Sequence, residues 1–110
     1  MNNNILELVA LIRKRPEMYL GASSVTQLGI FLKGYYFAKW EMDNGYSGFI
    51  AMNKFQDVVA ERFSIEQSIS WDRILAFVAG DERKGLDLFW KIWDEYTSDF
   101  AFAEAPLPSE

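Results

Sequence analysis

The 110-residue chain contains no cysteine and no histidine. Their absence excludes disulfides, thiol nucleophiles, thiolate or imidazole metal sites and every catalytic triad that uses histidine as its base. Basic residues are in the minority, 11 Lys and Arg against 16 Asp and Glu, for a net charge of -5. That balance argues against non-specific binding to phosphates, which needs a basic surface. No apolar run approaches the roughly 20 residues that cross a bilayer, and no basic-then-apolar segment opens the sequence. A soluble cytoplasmic domain is therefore expected. No segment sustains the period-two alternation of a half-buried strand, although Tyr46 to Met52 has the composition of an extended stretch.

What remains is rich in core material: half of the residues are hydrophobic and 16% are aromatic. A disordered chain would be poorer in both. The length suits one domain, which should bury about two-thirds of its unfolded surface.

Apolar residues recur at helical spacing along most of the chain. Asn2, Asn3 and Asn4 are N-cap candidates for a helix carrying Ile5, Leu8, Val9 and Ile12 on one face, widened by Leu6 and Leu11. Arg13, Lys14 and Arg15 complement the negative end of its dipole, and Pro16 stops it. Met18, Tyr19 and Leu20 form a short apolar plug closed by Gly21. Ser23 or Ser24 caps a second helix, with Gln27 completing a capping box after Ser24. Its stripe is Leu28, Phe31, Leu32, Tyr35 and Met42. Gly29 and Gly34 weaken it by about 1 kcal/mol each, which points to close packing of another element there. Asp43 to Gly48 reads as a turn.

A third helix carries Phe55, Val58, Val59 and Phe63, with Asn53 as its cap. A polar connection from Ser64 leads to Ser70, and Trp71, Ile74, Leu75 and Val78 mark a fourth helix stopped by Gly80. Asp81 caps the fifth, with stripe Leu86, Phe89, Trp90, Trp93 and Tyr96 and with Gly85 in its first turn. The expected fold is an all-α, compact bundle of about five helices, a single domain over residues 1–102, with a flexible tail over 103–110.

Charge is uneven: residues 1–55 carry +2 and residues 56–110 carry -7. Asp81, Glu82, Asp87, Asp94, Glu95 and Asp99 crowd the last helix. Adjacent carboxylates on a helix point about 100° apart, so Asp81–Glu82 and Asp94–Glu95 are not acid–base pairs, and an acidic stripe is ordinarily solvated surface. The expectation is no enzyme and no cofactor. At 100° per residue, Asp87, Asp94 and Glu95 face outward while Phe89, Trp90 and Trp93 face the core. Tyr36 and Trp40 fall off the second helix's stripe and are candidate exposed contact residues. Aromatic anchors beside charged rims are common in protein interfaces.

The segment Ile12-Arg13-Lys14-Arg15-Pro16-Glu17-Met18-Tyr19-Leu20-Gly21 resembles one near the start of the ATPase domain of DNA gyrase B and its relatives. Asp43-Asn44-Gly45-Tyr46-Ser47-Gly48 partly matches the Asp-x-Gly-x-Gly box that holds adenine there. The second glycine falls one position late, with Ser47 in its place. No Glu-x-x-x-Asn box, Gly-rich lid or strand pattern accompanies the pair, so no nucleotide site is expected. Helix end, proline stop, plug and glycine turn account for the first segment.

Taken with Leu28-x-x-Phe31-Leu32-x-Gly34-Tyr35, Ser70-Trp71-x-x-Ile74 and the acidic-aromatic last helix, Arg13 to Gly21 resembles the pattern of immunity proteins of bacterial polymorphic toxin and contact-dependent growth inhibition systems. The resemblance spans residues 5 to about 100 and rests on structural motifs. It implies a cytoplasmic protein that binds a cognate toxin domain, commonly a nuclease, and blocks its active site or substrate groove. No binding residues carry over from it. From the acidic balance and the lack of a long apolar run, no direct contact with nucleic acid or membrane is expected. A nuclease groove is basic, so the carboxylates Asp81, Glu82, Asp87, Asp94 and Glu95, with Tyr36 and Trp40, are the candidate contact set. The alternative is a small acidic adaptor or oligomerisation module.

Overall fold

A computed structural model describes residues 5–42 and 47–103. Six helices follow one another: α1 (Ile5–Lys14), α2 (Pro16–Leu20), α3 (Val25–Met42), α4 (Ser47–Arg62), α5 (Trp71–Ala79) and α6 (Glu82–Ala103). No strand occurs among the described residues, and the all-α bundle is as expected. The Asn2–Asn4 cap, most of the Asp43–Gly48 turn and the tail beyond Ala103 lie outside the described residues.

The additional helix is α2. Arg15 leaves the helical region (φ -144°, ψ 69°), which the following proline disfavours, and this ends α1. Pro16 then starts α2 at a position where its missing N–H costs nothing. The expected apolar plug is therefore a helical turn. It buries Leu20 but leaves Met18 63% exposed. Gly21 ends the turn in the left-handed region (φ 81°), with its N–H bonded to the Glu17 carbonyl.

Local signals place the other helix ends. The Ser24 hydroxyl accepts the Gln27 N–H at 3.1 Å, the capping-box bond. Asp81 accepts the Lys84 N–H at 2.7 Å. Gly80 closes α5 with φ 94°. Helix α4 begins at Ser47, ahead of Asn53, and Ala51, Met52, Phe55 and Val59 form its buried face. The stretch Ser47–Met52 is thus helical. At the far end of α4, Ser64 takes the left-handed conformation (φ 56°) and Ile65 N–H reaches the Ala60 carbonyl at 2.8 Å, a Schellman closure made without glycine. Ser70 makes no side-chain cap for α5. Gln56 of α4 supplies it: its Oε1 accepts the Trp71 N–H (2.6 Å) while its amide donates to the Ile69 carbonyl (2.8 Å).

Four helices, α3 to α6, enclose the centre. Phe55 meets Trp71, Phe89 and Trp93 edge-on, and Phe89 stacks between the other two with centroids 5.1 and 5.4 Å apart. Such pairs add about 0.5–1.5 kcal/mol each beyond area burial. Tyr96 lies at the edge of this cluster and donates its hydroxyl to the Ala51 carbonyl at 2.7 Å. Ile5, Val9 and Ile12 hold α1 against the same core, while Leu11 is exposed.

Helix α3 is rotated from its expected orientation. Val25, Leu28, Gly29, Leu32 and Tyr36 face inward, Phe31 and Tyr35 are half-buried, and Met42 is 79% exposed. Tyr36, expected at the surface, is only 8% exposed. The cause is Gly29. Asp72, in the first turn of α5 and 6% exposed, lies directly on it, where a β-carbon would overlap the carboxylate. Close approach of α5 fixes which side of α3 turns inward. Burial raises the Tyr36 pKa, and the charge of Asp72 adds to it. Gly85 serves similarly, since a β-carbon there would meet Val25 and the Ala76 backbone. Gly34 has nothing near it and packs against no element. On α5, Val78 is exposed rather than in the core.

Candidate functional site

The motif-like segment and the start of α6 converge. The corner between α1 and α2 supplies Arg15, Glu17 and Met18, and α6 supplies Arg83, Asp87 and Trp90. These side chains, with Pro16, Ser23 and Leu86, line an open groove of about 490 Å³. Proline and the left-handed Gly21 bend the chain so that α2 lies across this end of α6. Ser23 donates to Glu17 at 3.3 Å, tying the far rim to α2.

Each acidic residue expected on this surface has an assigned place. Asp81 is the N-cap of α6, bound to its own Lys84 N–H. Glu82 crosses to α3, where its Oε1 accepts the Ser24 hydroxyl (2.8 Å), the Thr26 N–H (2.9 Å) and the Thr26 hydroxyl (2.9 Å). Partial desolvation acts to raise the Glu82 pKa, but the bonds from Thr26 and Ser24 outweigh it, and the pKa falls below the usual carboxylate value. Asp94 receives both arms of Arg13 at 2.8 and 3.1 Å, and the Arg13 guanidinium lies 5.0 Å from the centre of the Trp90 ring. The hydrogen bonds to Asp94 raise the Arg13 pKa. Glu95 pairs with Arg62 at 2.6 Å. Both pairs are about half exposed, so each is worth only about 0.2–1 kcal/mol.

Asp87 differs from these four. It faces the groove, and among the described residues none of Arg15, Glu17, Arg83 and Asp87 has an ion-pair partner. Phe89 and Trp93 face the core while Asp87, Asp94 and Glu95 face outward, as the helical spacing predicts; Trp90 is half-buried at the boundary.

Tyr36 and Trp40 stand apart from this cluster, about 18 Å and more along α3 from its capped N-terminus at Ser24. Trp40 stacks between Phe37 and Phe49, and Tyr36 meets Phe49 edge-on. The seven candidate residues are therefore not one surface. Sequence reasoning missed Arg15, Glu17, Met18 and Arg83, although the Arg13–Gly21 pattern contained the first three. Behind the Arg13–Asp94 pair runs a second, more apolar groove of about 540 Å³ between α1 and α6, walled by Leu6, Val9, Ala10 and Trp93.

Among the described residues no set of three or more Asp, Glu, His or Cys side chains is placed to hold a metal ion. None of the described helices is long and apolar enough to cross a membrane. No family model matches the chain, and neither a curated protein nor a solved structure matches it.

Proposed function

We propose that this chain is a non-enzymatic immunity protein that neutralises a cognate toxin domain, a basic nuclease, by direct contact at the α1–α2 corner and the first half of α6. The observation that carries the reading is the groove beside Met18 and Trp90, where four charged side chains of both signs have no ion-pair partner within the described chain. Elsewhere on this face the guanidinium of Arg13 is already engaged by Asp94. Methionine, arginine and aromatic side chains inside a charged rim have the composition of an interface centre. Asp87 and Glu17 suit the cations of a nuclease groove, and Arg15 and Arg83 suit its carboxylates. The net charge of -5 accelerates encounter with a basic partner.

The test is co-expression with the neighbouring open reading frame, scored by growth. Rescue by the parent chain is expected, together with loss of rescue in the pair of substitutions Met18→Asp and Asp87→Arg. Far-ultraviolet circular dichroism should be unchanged, because both residues are exposed. A doubly substituted protein that is folded and still rescues would place the contact elsewhere. A harmless neighbour would remove the toxin reading altogether.

A further inference from the structure

Helix α3 carries apolar side chains on every side, interspersed with Lys33, Lys39 and Glu41, yet only one side of it is covered. Its outer side carries Ile30, 65% exposed, and Phe37, 49% exposed. A helix of this kind in a soluble protein is ordinarily buried on both sides. At about 100° per residue, Ile30, Phe37, Glu41 and Gly34 fall within about 60° of arc, and Lys33 lies about 40° beyond Phe37. All five are exposed. At Gly34 an added β-carbon would meet nothing within 4 Å, so the surface has an open notch one turn before its protruding ring.

We propose that this face binds a second copy of the chain, with the two α3 helices packed antiparallel about a two-fold axis. Notch and knob lie three residues apart on the same stripe. An axis passing midway between them brings Phe37 of each copy level with Gly34 of the other, so that each ring packs beside the other copy's notch. The same register makes the charges self-complementary. Lys33 of one copy comes within about 4.5 Å, measured along the axis, of Glu41 in the other. Helical side chains lean toward their own N-terminus, so in an antiparallel pair these two lean toward each other. An isologous contact of this sort needs the same patch to carry both halves of every interaction, and this one does. Ile30 extends the apolar contact to either side. A single helix face buries less area than a standard interface, so the dimer is weak and exchanging. The contact surface is separate from the α2–α6 groove, and the inference does not depend on the toxin reading.

Sedimentation equilibrium of the full chain over about 1 µM to 1 mM tests it, since that range spans weak reversible association. A concentration-dependent monomer–dimer equilibrium is expected. Phe37→Glu should weaken it at least about tenfold, because it places a carboxylate at both notches. Lys33→Glu and Glu41→Lys should each weaken it about fivefold, since each creates two like-charge pairs. The protein carrying both changes should return to within about twofold of the parent, because exchanging the signs restores attraction across the axis. A monomer throughout the range would overturn the proposal. So would a double swap that stays as weak as the single changes. Growth rescue by a monomeric Phe37→Glu protein would leave the toxin reading standing, which keeps the two failures distinct.

Discussion

Replacing Gly29 by alanine is the sharpest probe of how this fold is locked. Two terms oppose each other. Alanine is the better helix former by about 1 kcal/mol at an interior position. The new methyl, however, would overlap the Asp72 side chain, and the overlapping atoms include the Asp72 β-carbon. A β-carbon cannot swing away by a change of rotamer, so α5 must move off α3. Overpacking of that kind costs about 1–3 kcal/mol. The net result is a loss of up to about 2 kcal/mol. Gly34→Ala is the internal control. It lies on the same helix with nothing near it, so it should gain about 0.5–1 kcal/mol. The propensity gain is common to both, so the two single variants should melt about 5–15 °C apart, taking about 5 °C per kcal/mol for a domain of this size. Thermal unfolding followed by far-ultraviolet circular dichroism at high dilution measures the difference. Adding Asp72→Gly, which removes the β-carbon as well as the carboxylate, to both parent and Gly29→Ala closes a double-mutant cycle, with a favourable coupling of about 1–3 kcal/mol expected from the removed overlap. Should Gly29→Ala melt with Gly34→Ala, or should the cycle show no coupling, close approach of Asp72 would not be what orients α3.

Three further outcomes follow from particular bonds. Glu82 has a lowered pKa when folded, so its contribution is fully present above the unfolded value of about 4.3 and fades as pH falls through the lower folded value. Glu82→Gln should therefore cost about 1 kcal/mol or less at neutral pH, the site being exposed, and should flatten the acid limb of the stability–pH curve; an unchanged limb would refute the assignment. Gln56→Ala removes both bonds that seat the Ile69–Trp71 connection, and denaturant unfolding should show a loss of about 1–2 kcal/mol with faster hydrogen exchange at Trp71 N–H. Ser64→Gly relieves a non-glycine residue of its left-handed conformation and should raise stability by about 0.5–1 kcal/mol in the same assay; no gain would mean that the closure of α4 is unstrained.

The candidate site was legible only in pieces. The Arg13–Gly21 segment stood out in the sequence, and its residues were accounted for by helix termination, which is what Arg15, Pro16 and Gly21 do. The same bend presents Arg15, Glu17 and Met18 to α6, and no local rule connects those positions to Arg83 and Asp87. The outward direction of Asp87, Asp94 and Glu95 followed from residue spacing alone. Their partners did not. Asp94 finds Arg13 across 81 positions and Glu95 finds Arg62 across 33, distances over which charge pattern carries no address.

By itself the sequence determined where five of the six described helices lie and how most of them end, because those signals act within one turn. Ser24 reaches its own Gln27, Asp81 its own Lys84, and the residue before Pro16 is barred from the helical region. Only the tertiary structure decided which side of α3 turns inward and which ions pair. A helix with apolar side chains on every side offers more than one stripe from which to read an orientation. The choice between Tyr35 and Tyr36 is made instead by how closely another helix can approach, and the missing side chain of Gly29 allows Asp72 of α5 to come nearest there.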